Sequence, residues 1–399
     1  MLRSLASKKQ LLDLALLAKR ATGKSILMQL LEIITLRRGY GELFAFEYYD
    51  FKLYDDRKFP DAKKHEFLGT RTETKVCQAV NSIHWDMIEE DKLMTYAVLT
   101  GIGLPVPRTF AVYHRGGRYF APAVTVTTPE NLADYLRNGA PYPLFAKPAH
   151  SSFGCGGFAL GSLDRPADRL HMVDGTSAQV DAFVAGLDHV GGRNTIANGY
   201  IFQELLAPHP IIRQACGTIS SVRLLVLLHD DGPRIFRAVW KVPRKASMTD
   251  NFHHGVSGNM LAWIDVETGS VQRVIRGMGR EREDVTTHPD TGERLMGLRL
   301  PDWETLLKVG LEASAALPKL RFLHFDIAMT DRGPVIFEIN VEGSFDLVQL
   351  PAPAGLYDET LRTFLARYAT DPAVRRVHEK AVRRLGNGVP PGPMSNKSA

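Results

Sequence analysis

The chain has 399 residues, of which 44% are hydrophobic and 23% are charged, and these are ordinary values for a globular protein. At about 100–200 residues per domain, this length allows two to four domains or subdomains. The composition excludes global disorder and collagen-like repeats. Three cysteines without a CxxC pair argue against a disulfide framework or a structural zinc site. This cysteine usage favours a reducing, cytoplasmic setting.

The charge is positive overall, with 49 Lys and Arg against 44 Asp and Glu, and the excess lies at the two ends. Residues 1–38 carry eight Lys or Arg against two acids, and residues 371–399 carry six against two. Such ends can contact anionic surfaces, so peripheral membrane contact through the N-terminus stays open beside a plain solvated helix face. No apolar stretch reaches the ~20 residues of a bilayer span. Nucleic-acid binding is not expected, because the basic residues lack interleaved aromatic side chains.

The hydrophobic pattern changes along the chain. Apolar residues at three- and four-residue intervals predict helix over 5–38, broken near Gly23, and again over 72–100. From about residue 108, short apolar runs between turn residues predict strands. The predicted strands are 108–113, 143–148, 158–160, 200–206, 221–228, 234–242, 322–330 and 334–339, with helices at 176–187 and 303–317. The tail after about 386 is rich in Gly and Pro and is predicted to be disordered.

The most informative segment is 323–340, which the pattern predicts to be a hairpin centred on Arg332. One face of this hairpin is wholly apolar and belongs in the core. Its pairs are Phe325–Ile339, Ile327–Phe337 and Met329–Val335. The opposite face pairs Asp326 with Glu338 and His324 with Asn340. The two carboxylates would lie ~5 Å apart and would repel each other unless a cation joins them or one is protonated.

Hard oxygen donors on that face suit a magnesium ion, or manganese, that is bound together with substrate phosphates. The donors are the side chains of Asp326, Glu338 and Asn340. An exposed polar face is the alternative interpretation. No dedicated general base is identifiable, and the candidates are His254, His324 and Glu342.

A second element is the segment 144–157, where a strand ends in Lys147 and a Gly- and Ser-rich loop follows. Glycines let backbone N–H groups approach phosphate oxygens, and the lysine supplies a positive charge. The segment is not a Walker P-loop. Gly23-Lys24-Ser25 is not one either, because the glycine that the motif requires five residues earlier is Ala18.

Two weaker elements follow along the chain. The strand ending in Gln203-Glu204 could form a hinge whose backbone and carboxylate meet an adenine edge, although an ordinary strand end is the alternative. Arg223 and Lys241 interrupt apolar strands, so each either extends its charge to solvent or meets an anion. A basic, amide-rich loop after the second strand carries Arg244 and Asn251.

In this order and spacing the elements resemble the ATP-grasp superfamily over roughly residues 90–365. The elements that carry the resemblance are the Asp91-Lys92 helix, the Lys147 strand with its loop, Gln203-Glu204, Arg223, Asn251 and Asp326 with Glu338-Ile339-Asn340. Three segments make the chain look like one member family, the sugar-transfer-associated ATP-grasp family. They are Glu47-Tyr48-Tyr49, the Asp91-Lys92 helix and Asp250-Asn251-Phe252-His253.

The resemblance implies an α+β protein with the ATP-grasp fold, in which two α+β lobes clasp ATP behind a helical N-terminal region. The implied divisions are a basic helical region at 1–85, a linker and first lobe at 86–205, a second lobe with the metal site at 206–370, and a basic, partly disordered tail at 371–399.

Site residues follow from the resemblance position by position. The residues that the resemblance implies for nucleotide binding are Lys92, Lys147, Ser151, Ser152, Gly154, Gly156, Gly157, Gln203, Glu204, Leu205 and Leu206. Metal binding falls to Asp326, Glu338 and Asn340. The transferred phosphoryl group or acyl phosphate would be steadied by Arg223, Lys241, Arg244 and Asn251.

The implied activity is that of an ATP- and magnesium-dependent ligase. It would activate a small-molecule carboxylate as an acyl phosphate and join it to an amine, in the modification of a sugar, cell-surface or secondary metabolite. A kinase acting on a small molecule or sugar, and a non-catalytic nucleotide-binding scaffold, stay open as alternatives. The oligomeric state is not predicted.

Overall fold

The computed structural model describes residues 8–150, 156–187, 199–245, 247 and 249–386. Two seven-stranded sheets follow one another along the chain, and helices lie before, between and after them. None of the helices in these ranges is long and apolar enough to cross a membrane.

The described helices and strands have the following bounds. The α-helices are α1 (Lys8–Thr22), α2 (Ile26–Arg38), α3 (Ala45–Asp50), α4 (Asp61–Lys64), α5 (Thr70–Val80), α6 (Met87–Glu90), α7 (Lys92–Gly101), α8 (Pro129–Asp134), α9 (Val180–Leu187), α10 (Pro210–Cys216), α11 (Trp303–Ala315), α12 (Phe345–Gln349), α13 (Glu359–Tyr368) and α14 (Pro372–Gly386). The strands are β1 (Thr109–Tyr113), β2 (Val124–Val126), β3 (Leu144–Pro148), β4 (Phe158–Asp164), β5 (Arg169–Met172), β6 (Ser177–Gln179), β7 (Tyr200–Glu204), β8 (Ser221–His229), β9 (Gly232–Val242), β10 (Met260–Ile264), β11 (Val271–Arg276), β12 (Glu283–Val285), β13 (Phe322–Thr330) and β14 (Gly333–Asn340).

Local signals in the sequence set the helix boundaries. Gly23 has a φ of +79°, which ends α1, and the Ser25 side chain caps α2 by accepting a hydrogen bond from the Met28 N–H at 3.2 Å. The break predicted near Gly23 is therefore confirmed. The single helix predicted over 72–100 is divided instead, because Asn81 ends α5 and Asp91 caps α7.

The first sheet has the strand order β2-β1-β7-β3-β4-β5-β6. Its two central strands alternate between a core face and a face that is open to the second sheet. On β3, Leu144 and Ala146 enter the core with α8 and α9, whereas Phe145 and Lys147 point to the other face. Gln203 of β7 lies directly opposite Phe145 in the antiparallel register and shares that face.

The second sheet has the order β12-β11-β10-β9-β8-β13-β14 and is covered on both faces. Strand β8 is buried along nearly its whole length, because Leu224 and Val226 enter a core with α10 and α11 while Leu225 and Leu227 enter a core on the opposite face. This double burial explains why the strand is a continuous apolar run. Arg223 is the charged exception on the same face as Leu225.

The N-terminal helices and the C-terminal helices pack against the second sheet. Tyr48 of α3, Val76 of α5 and Phe364 of α13 belong to one apolar cluster with Leu225 and Phe322 of the sheet. The region 1–85 thus shares a hydrophobic core with the second lobe. Of the segment predicted as a basic tail, 372–386 forms α14, and the disorder predicted after 386 lies outside the described residues.

The hairpin of β13 and β14 departs from the predicted register at its turn. Asp326 pairs with Glu338 and His324 pairs with Asn340, as predicted. The turn has two residues, however, and Phe337 forms a β-bulge that shifts the register by one. The observed pairs beyond the bulge are Ile327–Ile336, Ala328–Val335 and Met329–Pro334, so the predicted pairs Ile327–Phe337 and Met329–Val335 are wrong.

Candidate active site

A cleft of about 740 Å³ separates the two sheets. Its walls come from β3 and β7 of the first sheet, from the start of α7, and from β9, β13 and β14 of the second. Because each strand alternates its side chains, only those on the facing surfaces reach this space. Five Lys and Arg side chains line it, namely Lys92, Lys147, Arg213, Lys241 and Lys245. Five carboxylates line it as well, namely Asp174, Glu204, Asp250, Asp326 and Glu338.

Lys147 lies on the first-sheet wall of the cleft. Its Nζ donates a hydrogen bond to the Tyr96 hydroxyl at 2.8 Å and lies 5.4 Å from the centre of the Tyr96 ring. Burial lowers the pKa of Lys147 to about 8, although the Glu338 carboxylate acts in the opposite direction. An anion bound beside this ammonium group would favour its charged form. The position therefore suits a phosphate oxygen.

Lys92 is the first residue of α7 and reaches across to the second sheet. Asp91 caps that helix by accepting hydrogen bonds from the backbone N–H groups of Leu93 and Met94. The Lys92 ammonium group lies 3.3 Å from the Glu338 carboxylate. This ion pair joins the linker before the first sheet to the proposed metal residues.

The hinge between the lobes follows β7. Leu205 and Leu206 line the cleft, and the chain is then fixed to the second lobe by the His209 N–H, which donates to the Met329 carbonyl at 3.0 Å. Gln203 is buried, and its side-chain oxygen has no hydrogen-bond partner among the described residues. The Glu204 carboxylate lines the cleft but already accepts from the Arg108 N–H and from Arg332.

The centre of the second-sheet wall is a buried charge cluster. Arg223 of β8 lies opposite Asp326 of β13 and donates two hydrogen bonds to its carboxylate, at 2.6 and 2.9 Å. Lys241 of β9 lies 3.1 Å from the Asp326 carboxylate and 3.1 Å from that of Asp250. Burial alone would raise the pKa of Asp326, but the two cations outweigh it and lower that pKa to about 2.

The predicted metal residues lie together, although the argument that led to them needs revision. Asp326 and Glu338 are cross-strand neighbours and both line the cleft. The cations that keep these carboxylates together are Arg223 and Lys241 at Asp326 and Lys92 at Glu338. Charge balance at this pair is thus met by side chains of the protein.

The donor set nevertheless fits a magnesium ion that is carried by a nucleotide. In the ranges described, no group of three His, Cys, Asp or Glu is placed to hold a metal by itself. Magnesium commonly binds through one or two carboxylates plus substrate phosphates, so such a group is not required. The Asn340 side-chain oxygen is the atom of this residue that would bind such an ion, and its buried amide nitrogen has no partner within the described chain.

A second cavity of about 620 Å³ lies beside the first and shares Asp326, Glu338 and Asn251 with it. Its lining differs sharply, because Arg223 is the one Lys or Arg among the described residues that line it. Five carboxylates line this cavity alone: Asp86, Glu89, Glu90, Glu342 and Asp346. Glu89 also accepts hydrogen bonds from the backbone N–H groups of Val341 and Glu342, which fixes the end of β14.

The three base candidates have different environments. His324 is fully buried, neither ring nitrogen has a partner in the described structure, and burial lowers its pKa to about 3. It lies between the Phe322 and Phe345 rings and is a neutral core side chain. His254 lines the second cavity with Nδ1 3.2 Å from Asp346, and Glu342 accepts from Thr74 and Gln78.

Some predicted residues are not brought to the cleft or lie outside the description. Arg244 makes a two-point contact with Asp290 and lines neither of the two cavities. Ser151, Ser152 and Gly154 lie outside the described residues. Gly156 has a φ of +78°, and Gly157 lies so close to Phe145 that a Cβ would come within 2.9 Å of its ring.

The structure also places residues in the cleft that the sequence analysis missed. Tyr96 orients Lys147, Asp250 pairs with Lys241, and Lys245 and Arg213 add positive charge to the wall. Asp250 could have been found, because it precedes Asn251 in a segment that carried the family resemblance. The sequence holds no comparable signal for Tyr96, which lies on α7 and reaches β3 only through tertiary packing.

Two lobes that enclose a lysine-rich cleft, with a buried Arg–Asp–Lys cluster on one wall, define an α+β protein of the ATP-grasp fold. A family profile of sugar-transfer associated ATP-grasp proteins matches residues 71–364, well over half of the chain, so the chain belongs to that family. No protein of curated function matches the sequence.

Solved structures resemble the chain at low identity. PsnB, an ATP-grasp ligase complexed with a minimal precursor, is 16% identical with a TM-score of 0.37, over 72% of this chain and 63% of that chain. VanG D-Ala:D-Ser ligase of Enterococcus faecalis is 12% identical with a TM-score of 0.38, over 70% and 61%. N5-carboxyaminoimidazole synthase of Aspergillus clavatus is 13% identical with a TM-score of 0.38, over 78% and 60%. The chain thus spans about three fifths of each, and the family assignment rests on the profile match.

Proposed function

We propose that the protein is an ATP- and magnesium-dependent ligase that activates a carboxylate as an acyl phosphate and joins it to an amine. The observation that carries this proposal is the position of Asp326 and Glu338 between two cavities, one in which Lys and Arg balance the carboxylates and one in which carboxylates are in large excess. A ligase needs a nucleotide on one side of its reacting centre and an acceptor on the other.

The cleft between the two sheets is proposed to hold the nucleotide, and we call it the cation-lined cleft after the five Lys and Arg side chains on its walls. Its volume of about 740 Å³ lies within the usual range of ligand pockets. Lys92, Lys147 and Lys241 would face the phosphates, and the Leu205-Leu206 backbone with Gln203 would meet the base. The buried Gln203 side-chain oxygen, unpartnered in the described chain, supports this assignment because it could accept from an exocyclic amine.

In the first step, a substrate carboxylate oxygen attacks the γ-phosphorus, and the bond to the departing ADP oxygen breaks. In the second, the amine nitrogen attacks the acyl carbon, inorganic phosphate leaves, and the nitrogen loses a proton. Lys147, Lys241 and Arg223 would stabilise the charge that develops on the phosphoryl oxygens. Magnesium, when bound with the nucleotide, would neutralise phosphate charge, and Asp326, Glu338 and Asn340 would hold it.

The acid-lined cavity is proposed to hold the amine. A protonated amine would be attracted by the five carboxylates that line this cavity alone. The same carboxylates would disfavour an anionic acceptor such as a sugar phosphate, because like charges repel at short range. The bound ammonium group must lose one proton before its nitrogen can attack, and that proton could pass to Glu342 or to the pair of His254 and Asp346. The second proton leaves the nitrogen as the amide bond forms.

The proposal is tested by measuring ADP and phosphate release with pools of carboxylic acids and amines. We expect release of both products when an acid and an amine are present together, and mass spectrometry should find a condensed product one water lighter than its parts. A kinase would instead form ADP with a phosphorylated product and no free phosphate. A scaffold would bind ATP without turnover in any pool.

Control variants assign the activity to the site. Glu338→Gln should lower product formation about a hundredfold, whereas Glu312→Gln, which alters an exposed carboxylate on α11, should leave the rate unchanged. Equal rates in both variants would show that the reacting centre does not lie at Glu338.

A further inference from the structure

Helix α2 has apolar side chains on two faces: Ile33 and Leu36 are buried in the core, and a second set faces outward. Leu27, Leu30, Leu31 and Ile34 recur at three- and four-residue spacing and are between 44% and 67% exposed. Met28 extends this exposed stripe, which we call the α2 stripe, and it is 51% exposed. Single exposed leucines are normal, but a contiguous stripe on one helix calls for a partner.

Two polar residues of the same helix, Gln29 and Glu32, face inward. Gln29 is fully buried, and its amide donates to the Ala15 carbonyl at 3.2 Å and to the Lys24 carbonyl at 3.0 Å. The Glu32 carboxylate bonds Lys24 at 2.6 Å and Lys64 at 2.9 Å. Both polar groups are therefore satisfied inside the protein, and the helix is held in the orientation that exposes the α2 stripe.

Positive charge flanks the exposed apolar surface. Lys9, Lys19 and Arg20 of α1 and Arg37 and Arg38 of α2 are exposed, whereas Asp13 is the exposed acid on the described parts of the two helices. Helix α1 adds two exposed leucines, Leu12 and Leu16. Apolar side chains flanked by Lys and Arg are the pattern of a helix that lies in the headgroup region of an anionic membrane.

We propose that α1 and α2 dock the protein on an anionic lipid surface, with the α2 stripe entering the headgroup region and the exposed Lys and Arg contacting lipid phosphates and carboxylates. The charge complementarity favours a bilayer over a second copy of the chain, because two copies would bring like-charged surfaces together. This proposal does not depend on the catalytic function.

Cosedimentation of the full-length protein with lipid vesicles tests the proposal. One set of vesicles contains phosphatidylcholine alone, and the other contains phosphatidylcholine and phosphatidylserine in a three-to-one ratio. We expect binding to the mixed vesicles that weakens as salt is added, and much weaker binding to phosphatidylcholine alone. The triple variant Leu27→Gln, Leu31→Gln, Ile34→Gln should lose about tenfold or more in affinity for the mixed vesicles.

A matched control distinguishes binding through the α2 stripe from nonspecific binding through other exposed apolar side chains. The variant Ile102→Gln, Tyr119→Gln, Val124→Gln also removes three exposed apolar side chains, and it should bind vesicles as the wild type does. The proposal is overturned if the wild type does not bind mixed vesicles, or if both triple variants lose affinity equally. It is also overturned if sedimentation velocity shows a dimer that the α2 substitutions dissociate while vesicle binding is absent.

Discussion

The two cavities on either side of the Asp326–Glu338 pair differ mainly in charge. Among the described residues, five Lys and Arg and five Asp and Glu line the first, whereas one Arg and seven Asp and Glu line the second. The cations come from both lobes, and the acids that line only the second cavity come from α6 and from the chain around α12. One pair of neighbouring strands thus separates a cavity of balanced charge from a strongly acidic one, and we propose that the first holds phosphates and the second an amine.

The largest effect is expected where both cavities meet. Asp326→Ala leaves Arg223 and Lys241 buried without their shared partner, and breaking a buried ion pair costs about 3–5 kcal/mol of unfolding free energy. Asp284→Ala removes an exposed ion pair with Arg273 and should cost less than about 1 kcal/mol. Denaturant unfolding measures both variants, and similar losses would contradict the assigned burial.

The next effect separates chemistry from folding. The Glu338 side chain is 32% exposed, so Glu338→Gln should leave the unfolding free energy within about 1 kcal/mol of wild type. Turnover should nevertheless fall by about a hundredfold, because a carboxylate that faces the phosphates is lost. Rates of ADP formation beside unfolding curves check this prediction, and a variant with near-normal turnover would count against the site.

Charge-removing substitutions in the two cavities should change the KM values of different substrates. The double variant Glu342→Gln, Asp346→Asn should raise the KM for the amine about tenfold and leave the KM for ATP unchanged. Lys245→Gln, on the other side, should raise the KM for ATP several-fold, about the value of one charge-assisted contact, and spare the amine. If either variant changes both constants equally, the division of roles between the cavities is wrong.

Nucleotide affinity should depend on pH through Lys147. Burial lowers the pKa of this residue to about 8 in the free protein, and phosphate binding favours its charged form. Affinity for ATP is therefore full below pH 8 and should fall about tenfold between pH 7 and pH 9. Lys147→Arg keeps its charge over this range and should flatten the profile, as measured by calorimetric titration. A flat wild-type profile would exclude Lys147 from the phosphate site.

The smallest effect is expected at His324. This side chain is buried beside the acid pair, yet it makes no hydrogen bond within the described chain and its pKa is lowered to about 3. It lines neither cavity, and its low pKa makes it a weak proton acceptor, so it is a poor candidate for the base. His324→Leu should keep kcat within about twofold, because an apolar side chain of similar size replaces an unsatisfied polar one. A hundredfold loss of kcat in a folded variant would restore His324 as a candidate.

The sequence predicted the parts of the site that depend on strand periodicity. Asp326, Glu338 and Asn340 share one face because side chains alternate along each strand, and the observed register agrees at these positions. The bulge at Phe337 was not predictable, because a two-residue turn and one extra residue cancel and restore the expected pairing at Asp326. A hairpin with a longer turn and no bulge would give the same pairing at Asp326, and only packing between the strands distinguishes it from the observed one.

The sequence could not predict the contacts that join distant segments. The identity of the cations beside the acid pair depends on how α7 meets β14 and on which strands neighbour β13. Without these contacts, the repulsion between the Asp326 and Glu338 carboxylates predicted only that a cation, taken to be a metal ion, lies between them. Arg244 was expected in the site from the basic, amide-rich segment and the family resemblance, but it pairs instead with Asp290, 46 residues further along. His324 was a candidate base on the acid face, and its burial under Phe345 follows from the turn after β14.

The most direct test is a crystal structure of the protein with magnesium and a non-hydrolysable ATP analogue. The account predicts that the triphosphate lies in the cation-lined cleft, with Lys92, Lys147 and Lys241 at its oxygens and the ion between the phosphates and Glu338. A nucleotide bound in the acid-lined cavity, or at a site that does not touch Glu338, would contradict it.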